Sequence, residues 1–351
     1  MPLAAPANNI YKAVTITSVI EEVRGVKTFI LEPQDKGGIV YKAGQFLTFA
    51  FQNHHKEERR SFSISSNPER GEPLAVTVKR IDNGVFTRYL VDDAKAGDVL
   101  YTTGAAGLFV LPGDLAAYEQ VFFMAAGIGI VPVFAIIKSL LQHSSKNIVL
   151  LYSNKKKEDV VFYEKLVELQ VAYPGRLRIE FLYSSAFTLA RARLNKALLP
   201  QLVDEYALTE KDKMLFYTCG PFDYMRMVIL ALEEYGIKAG QIKKENFDVH
   251  IPVRKAMPPD KEPHHVRISI GEDEYELNCQ YPETILQAAK KMGIQIPYSC
   301  ELGQCGSCAA RCINGSIWMS ANEVLTDKDI EKGLVLTCVG YPVGGDAALE
   351  L

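Results

Sequence analysis

Four cysteines near the end of the chain carry its clearest chemistry. Cys300, Cys305 and Cys308 form C-x4-C-x2-C, and Cys338 follows alone after a longer interval. Two irons bridged by sulfide need four thiolates converging on a compact core, so three must come from one tight loop and the fourth from elsewhere. This spacing is that of a [2Fe–2S] ligand set. Gly303 and Gly306 let the loop wrap closely and aim backbone N–H groups at sulfur, and Ser299, Ser307 and Ala309 are small enough to permit the approach. A structural zinc site is the alternative. It would use two cysteine pairs, whereas Cys338 stands single between Leu336-Thr337 and Val339-Gly340. Cys279 and Cys312 read as small core residues rather than further ligands.

A second constellation lies early in the chain. Arg60-Ser61-Phe62-Ser63 continues into Ile64-Ser65-Ser66 as a predicted strand, with Ser61, Ser63 and Ser65 on one face and Phe62 and Ile64 on the other. An edge strand with a solvated hydroxyl face accounts for that pattern. So does a flavin platform, with arginine for a phosphate, an aromatic ring against the isoalloxazine and a serine hydroxyl near its reactive nitrogen. Gly84-Val85-Phe86-Thr87 reads as a helix start whose N-terminal amides bind phosphate, with Thr87 adding a hydroxyl. Gly104-Ala105-Ala106-Gly107-Leu108-Phe109 then closes the region.

The middle of the chain holds a third. Val121–Ala125 followed by Ala126-Gly127-Ile128-Gly129-Ile130-Val131-Pro132 reads as strand, glycine turn and helix. The glycines permit close approach of a pyrophosphate, and Pro132 suits a first helical turn; a buried strand-to-helix turn is the plainer reading. Tyr217-Thr218-Cys219-Gly220-Pro221 ends a later strand. Open parallel sheets bind ligands beyond the C-terminal ends of their strands, which predicts one crevice for both segments. After the third strand come Ser184, Ser185, Arg191 and Arg193 with no acidic residue close by. An acid there would select a ribose hydroxyl, whereas hydroxyls with arginine suit a 2′-phosphate, so NADPH is expected over NADH. Lys155-Lys156-Lys157 adds charge or is a solvated turn, and Glu245-Asn246-Phe247 ends the predicted fifth strand.

The elements that must position these residues differ in texture. Residues 9–113 hold short β-branched runs punctuated by turn signals such as Asp82-Asn83-Gly84, which predicts a small antiparallel β-barrel. Residues 114–248 alternate apolar strands with helical stretches over Val131–Gln142, Asp159–Ala172 and Phe222–Glu234, which predicts an α/β domain around a parallel sheet. Residues 249–265 carry Pro252, Pro258, Pro259 and Pro263 among charges and read as an extended linker. Residues 266–351 open with an alternating hairpin, Val266 to Leu277, and a helix over Ile285–Met292, as an α+β β-grasp domain around the cysteine loop.

A chain of 351 residues with 48% hydrophobic and 23% charged residues is an ordinary multidomain globular protein. Its net charge of −3 supplies no global basic field, so nucleic acid is not an expected partner. Met1 to Asn9 shows no secretion pattern. The longest apolar run, Val121 to Ile137, is short for a membrane span and is interrupted by Gly127, Gly129 and Pro132. A cytoplasmic protein without stable membrane insertion is expected.

The segment from Pro297 through Cys308, with Leu336-Thr337-Cys338, closely resembles the plant-type ferredoxin domain. The earlier segments, in this order, resemble the ferredoxin–NADP reductase superfamily, whose flavin strand reads Arg-x-Tyr/Phe-Ser and whose nucleotide signatures read Gly-x-Gly-Ile-x-Pro and Cys-Gly-Pro. The resemblance implies that Arg60 binds the flavin pyrophosphate, Phe62 flanks the ring and Ser63 contacts its N5 atom. It also implies that Cys219, Gly220 and Pro221 lie near the nicotinamide, and that Glu245 and Phe247 approach the flavin. Catalytic roles then fall on Ser63, Cys219 and Glu245. Phe62 stands where tyrosine is common, so a phenolic hydrogen bond is lost and stacking kept; Val131 stands where threonine is common. FAD is expected, although relatives with this domain order use FMN. The order flavin, nicotinamide, ferredoxin resembles the reductase subunit of bacterial phenylacetyl-CoA epoxygenase, with phthalate dioxygenase reductase a poorer match.

Electron counting gives the implied function. A nicotinamide delivers electrons in pairs and a cluster holds one, so a flavin must stand between them. The expectation is an NAD(P)H-dependent oxidoreductase passing electrons through FAD and a [2Fe–2S] cluster to a partner oxygenase that docks near the Cys300–Cys308 loop, a phenylacetyl-CoA epoxygenase-type di-iron monooxygenase first among them. The alternatives are a reductase for a Rieske dioxygenase or a fatty-acid desaturase, and a non-catalytic electron-relay or redox-sensing subunit.

Overall fold

Alternating burial marks parts of the first strands. In β1 (Lys12–Val23) Val14 and Ile16 are fully buried, and in β2 (Val26–Pro33) so are Phe29 and Leu31. With β3 (Phe46–Asn53), β4 (Lys56–Ser63), β5 (Ala75–Lys79) and β6 (Val99–Ala106) they form an antiparallel sheet in the order β4-β3-β6-β1-β2-β5. The sheet closes on itself where Ile64, just past β4, bridges Val76 in β5 and Ser65 N donates to Ala75 O at 2.8 Å. The expected antiparallel barrel is therefore present. Its core is aromatic: Phe51 and Phe86 stack with centroids 4.4 Å apart, and Phe49 tilts against Phe86 at 6.2 Å. Each such ring contributes about 1.5–3 kcal/mol on burial. Phe86 belongs to α1 (Val85–Arg88), which is four residues long and runs into a π-helical turn, Tyr89–Asp93.

The computed structural model describes residues 11–53, 56–185, 192–247 and 257–351. The chain divides into two units, Met1–Phe247 and Asp248–Leu351. Within the first, the barrel is followed by β7 (Gln120–Ala126), α2 (Ile130–His143), β8 (Asn147–Asn154), α3 (Tyr163–Ala172), β9 (Leu177–Tyr183), α4 (Leu198–Tyr206), β10 (Met214–Cys219), α5 (Phe222–Glu234) and β11 (Ile242–Glu245). The five strands are all parallel, in the order β11-β10-β7-β8-β9. Their sequence direction reverses at β7, and the crevice beyond β7 and β10 is where such sheets take ligands.

Two helices depart from the pattern read in the sequence. The stretch predicted over Asp159–Ala172 begins its helix only at Tyr163, because Phe162 takes a left-handed conformation (φ 62°) after a 3-10 turn over Lys157–Asp159. Helix α4 is an addition. Pro200 disguised it, yet in the first turn its missing N–H has no helical partner to lose, and the helix buries Leu198, Leu199, Leu202 and Val203.

The second unit pairs β12 (His264–Ile270) with β13 (Asp273–Cys279) in the expected hairpin. It continues through α6 (Ile285–Lys291), β14 (Ala309–Asn314), β15 (Ile317–Met319), α7 (Asp327–Glu331), β16 (Leu334–Leu336), β17 (Gly340–Pro342) and β18 (Ala347–Glu350). The mixed sheet β13-β12-β18-β14-β16 with α6 capped by a Thr284/Gln287 box is a β-grasp arrangement. The segment predicted as linker over 249–265 is shorter on its C-terminal side. Asp260 accepts from Glu262 N at 2.9 Å, Gly344 N at 2.7 Å and the His264 ring at 2.6 Å, which ties it to the β-grasp unit. Those bonds, the Glu262 and Gly344 amides first, hold its carboxyl down to about 2. Residues 249–256, with Pro252, lie outside the described residues.

Candidate functional site

Three strand ends meet at the junction of barrel and parallel sheet. Ser63 ends β4, Cys219 ends β10 and Glu245 ends β11. Ser63 Oγ donates to Glu245 Oε2 at 3.2 Å, and Cys219 and Glu245 are partners across β10 and β11. All three are buried. Burial pushes the Glu245 carboxyl up to about 8, and the Ser63 hydroxyl works against that rise. Burial also pushes the Cys219 thiol well up, with the Glu245 charge adding to it. The junction is therefore dry and near-neutral at pH 7, with Glu245 favouring its protonated form.

The remaining residues of the barrel segment behave differently from one another. Arg60 is exposed and pairs with Glu58 at 2.7 Å. Exposed pairs are weak, about 0–1 kcal/mol, so a phosphate can take this guanidinium at little cost. Phe62 is half-buried, its ring tilted against Phe49 and Phe86 at 6.1 and 5.8 Å. The ring of Phe86 is packed in the barrel core, which leaves its backbone as the part this segment can present to a phosphate. One expectation needs correction. The Thr87 hydroxyl turns inward, accepting from Ile81 N at 3.3 Å and donating to Gly84 O at 3.2 Å. Gly84 is required by that turn, since a Cβ there would lie 2.3 Å from Thr87 Oγ1. Val85 is exposed beside it, at the start of α1.

The nucleotide turn uses its two glycines for two purposes. Gly127 has φ +53° and nothing within 4 Å of an added Cβ, which leaves its face open to a ligand. Gly129 lies against the other turn: a Cβ on it would stand 2.2 Å from Cys219 O. Gly220 answers from the opposite side, where an added Cβ would stand 2.9 Å from the Ala126 Cβ. The β7–α2 and β10–α5 turns thus touch backbone to backbone. Beyond them opens a cleft of about 710 Å³, lined by Gly127, Ser184, Arg193 and Pro221. That volume suits a small-molecule site, for which about 300–1,000 Å³ is usual.

Lys155 also lines the cleft, and among the described residues neither it nor Arg193 forms an ion pair. Ser185 lies beside it, its hydroxyl bonded to Lys155 O at 2.6 Å. Arg191 lies outside the described residues. Phe247, after β11, is exposed. Sequence reasoning missed Ser153, Asn154 and Tyr224, which line the cleft together with Arg24 and Lys79 from the barrel. Ser153 and Asn154 end β8, so the strand-end rule was enough to find them. Buried Asn154 Nδ2 donates no hydrogen bond among the described residues, leaving a donor for a bound nucleotide. Nothing in the local sequence marks Arg24 and Lys79, which arrive through tertiary packing.

The second unit brings its four predicted cysteines together. Cys300 lies close enough to Cys305 and Cys338, and Cys308 to Cys338, for each thiol to perturb its neighbours. Thr337 N and Oγ1 both donate to Cys308 O at 3.2 Å, which docks the fourth ligand's segment onto the loop. Backbone N–H groups of Leu302 and Gln304 donate to Cys300 Sγ at 3.4 Å. The Cys305 and Cys338 thiols and these amides hold Cys300 well down as a thiolate, while its charge pushes Cys305 and Cys338 up. Four sulfurs this close cannot all be thiolates without cations between them, so the donor set fits an iron–sulfur centre. Gly303 (φ +75°) would put a Cβ 2.9 Å from Ala321 O, so the loop's closeness depends on glycine. Cys279 is buried, its thiol donating to Glu283 O at 3.3 Å, and the Cys312 thiol donates to Asn314 O at 3.3 Å.

A closed barrel and a parallel sheet sharing a dry strand-end junction, with a β-grasp unit holding four converging sulfurs, define a modular flavin-, nicotinamide- and iron–sulfur-dependent oxidoreductase. Family models match in that order: an oxidoreductase FAD-binding domain over residues 13–111, an oxidoreductase NAD-binding domain over 123–229, and a 2Fe-2S iron-sulfur cluster binding domain over 268–343. The ferredoxin reductase component of 3-ketosteroid-9-alpha-monooxygenase from Mycolicibacterium smegmatis is 30% identical over 341 residues, 93% of each chain. Its counterpart from Rhodococcus rhodochrous is 29% identical over 347 residues, 96% of this chain and 95% of that one. The solved phthalate dioxygenase reductase shares the fold, with a TM-score of 0.60 at 22% identity over 97% of this chain and 98% of that one. The chain belongs to this family of ferredoxin reductase components, NAD(P)H-dependent oxidoreductases that join FAD-binding, NAD-binding and 2Fe-2S domains. No described helix is long and apolar enough to cross a membrane.

Proposed function

We propose that this chain is the reductase component of an oxygenase system, taking electrons from NADPH through FAD and a [2Fe–2S] cluster held by Cys300, Cys305, Cys308 and Cys338. The observation that carries the reading is the buried Ser63–Glu245 hydrogen bond beside Cys219, at the mouth of the crevice that holds Gly127, Gly129 and Gly220. When bound, the flavin supplies the exchange between the two-electron chemistry of the nicotinamide and the one-electron cluster.

The chain's own residues do the rest. Arg60 would exchange Glu58 for the flavin pyrophosphate, Phe62 would flank the ring, and the backbone from Gly84 through Phe86 would offer amides to the phosphates. Ser63 would present its hydroxyl to the ring, and Glu245, holding its proton near neutral pH, would keep the ground beside it uncharged. The Cys219 thiol, kept neutral by burial, would offer the nicotinamide a soft, dry contact, while Gly220 and Pro221 keep the turn close and Phe247 would cover the flavin edge. Ser184 and Arg193, with Lys155, favour a 2′-phosphate. Asp159 and Asp223 share the cleft, so the ratio of KM for NADH to that for NADPH decides this preference, and a ratio above about 10 is expected.

The domain order supports a phenylacetyl-CoA epoxygenase-type di-iron monooxygenase as acceptor, and the relatives' names make a ketosteroid-type oxygenase the competing choice. The test is to supply each oxygenase with this chain and NADPH and to measure product formed per nucleotide oxidised. Turnover with the epoxygenase and none with the other supports the first. The reverse overturns it.

A further inference from the structure

Helix α2 faces two ways. Its N-terminal end is the Gly127–Gly129 turn of the nucleotide cleft, and its far half lies against the barrel. There Lys138, 7% exposed, donates from Nζ to the Ser65 carbonyl at 3.0 Å and pairs with Glu72. Ser65 follows Ser63 by two positions where the barrel closes. Glu72 also accepts from Asn67 N at 2.8 Å, and Asn67 Oδ1 caps the turn Pro68–Arg70 by accepting from Glu69 N at 3.0 Å. The stretch from Ser65 to Glu72 is therefore a stiff bracket.

Other α2 residues grip the bracket at its tip. The Ser139 hydroxyl bonds the Glu69 carboxylate, Gln142 Nε2 donates to Glu69 O at 3.2 Å, and His143 Nε2 lies 3.4 Å from Glu69 Oε2. Of these α2 contacts, Lys138 bonds the backbone at Ser65, two positions past the end of β4, while Gln142 bonds it further along at Glu69. A buried cation bonded to a main-chain carbonyl is directional and dry, unlike the exposed His143–Glu69 contact, which contributes little.

We propose that Lys138 is a positioning residue: it ties the helix that opens at the nucleotide turn to the Ser65 carbonyl and so fixes where Ser63 stands relative to the bound nicotinamide. This rests on the assignment of Ser63 as the flavin contact. Misplacement of reacting groups by about 1 Å costs on the order of 100-fold in rate. Lys138→Met keeps the stem's volume and removes the bond. Glu72→Gln keeps the bond to Ser65 and removes the ion pair.

The experiment is stopped-flow reduction of the FAD-loaded, cluster-loaded protein by NADPH. It is paired with calorimetric binding of NADP+ to flavin-free protein and with visible circular dichroism of the bound flavin. Lys138→Met is expected to slow flavin reduction about 10- to 100-fold. It should alter the flavin dichroism and leave NADP+ affinity within about twofold. Glu72→Gln should stay within about threefold of wild type in rate. If Lys138→Met does not fold, Lys138→Gln, which keeps a shorter donor, should show a loss of about 3- to 10-fold. Equal rates in wild type and the Lys138 variant, or an equal loss in Glu72→Gln, overturn the positioning role. Failure of the wild-type flavin to bleach with NADPH would instead overturn the functional reading beneath it.

Discussion

The cluster loop draws three of its four cysteines from one short stretch, Cys300 to Cys308, and the segment of the fourth, Thr337-Cys338, docks onto it from elsewhere. The flavin–nicotinamide junction is assembled instead from the ends of β4, β10 and β11, with Ser63 and Glu245 bonded across 182 positions of chain. One site is a property of spacing. The other is a property of two domains packed in one register. The first should fail through loss of a ligand, and the second through displacement of a backbone or shift of a proton.

The largest effect is expected at the loop. Cys338→Ser should abolish the cluster's visible spectrum and iron content and cut cytochrome c reduction at least about 100-fold, while ferricyanide reduction through the flavin persists. Retained iron with full cytochrome c activity would place the fourth ligand elsewhere.

At the junction the sharpest structural test is Gly129→Ala. Its Cβ would sit 2.2 Å from Cys219 O, so the two turns must part, at an expected cost of about 2–4 kcal/mol by urea unfolding. Gly127→Ala meets no atom and pays only for φ +53°, about 1–2 kcal/mol. Equal costs would mean that the turns do not touch.

Ser63→Ala should slow reduction of the flavin by NADPH about 10- to 100-fold and leave the cluster spectrum unchanged. A smaller, pH-dependent effect follows from Glu245. Its carboxyl sits at about 8 when folded, above the ordinary 4.5, so the folded state keeps a proton that the unfolded chain releases. The stability this gives is full below about pH 4.5 and is lost as pH rises toward 8. Glu245→Gln should flatten that slope in unfolding midpoints measured across the window, and an unchanged slope would assign the proton to another group.

The same contrast explains what the sequence disclosed. The cysteine set, the strand–glycine–helix turn and the barrel's alternation are local patterns, and they appear where residue types demanded them. Helix α4 hid behind Pro200, and the inward turn of Thr87 hid behind a phosphate-like Gly-x-x-Thr pattern, because the decisive partners Ile81 and Gly84 are backbone atoms. Arg24, Lys79 and Lys138 carry no motif at all; their roles exist only once the barrel lies against the sheet.

Anaerobic titration of the FAD- and cluster-loaded protein with NADPH, followed by its visible spectrum alongside metal analysis, tests the proposed electron path most directly. The expected result is bound iron, bleaching of the flavin and then appearance of the reduced cluster's paramagnetic signal. Zinc in place of iron, or a spectrum that NADPH leaves unchanged, would contradict it.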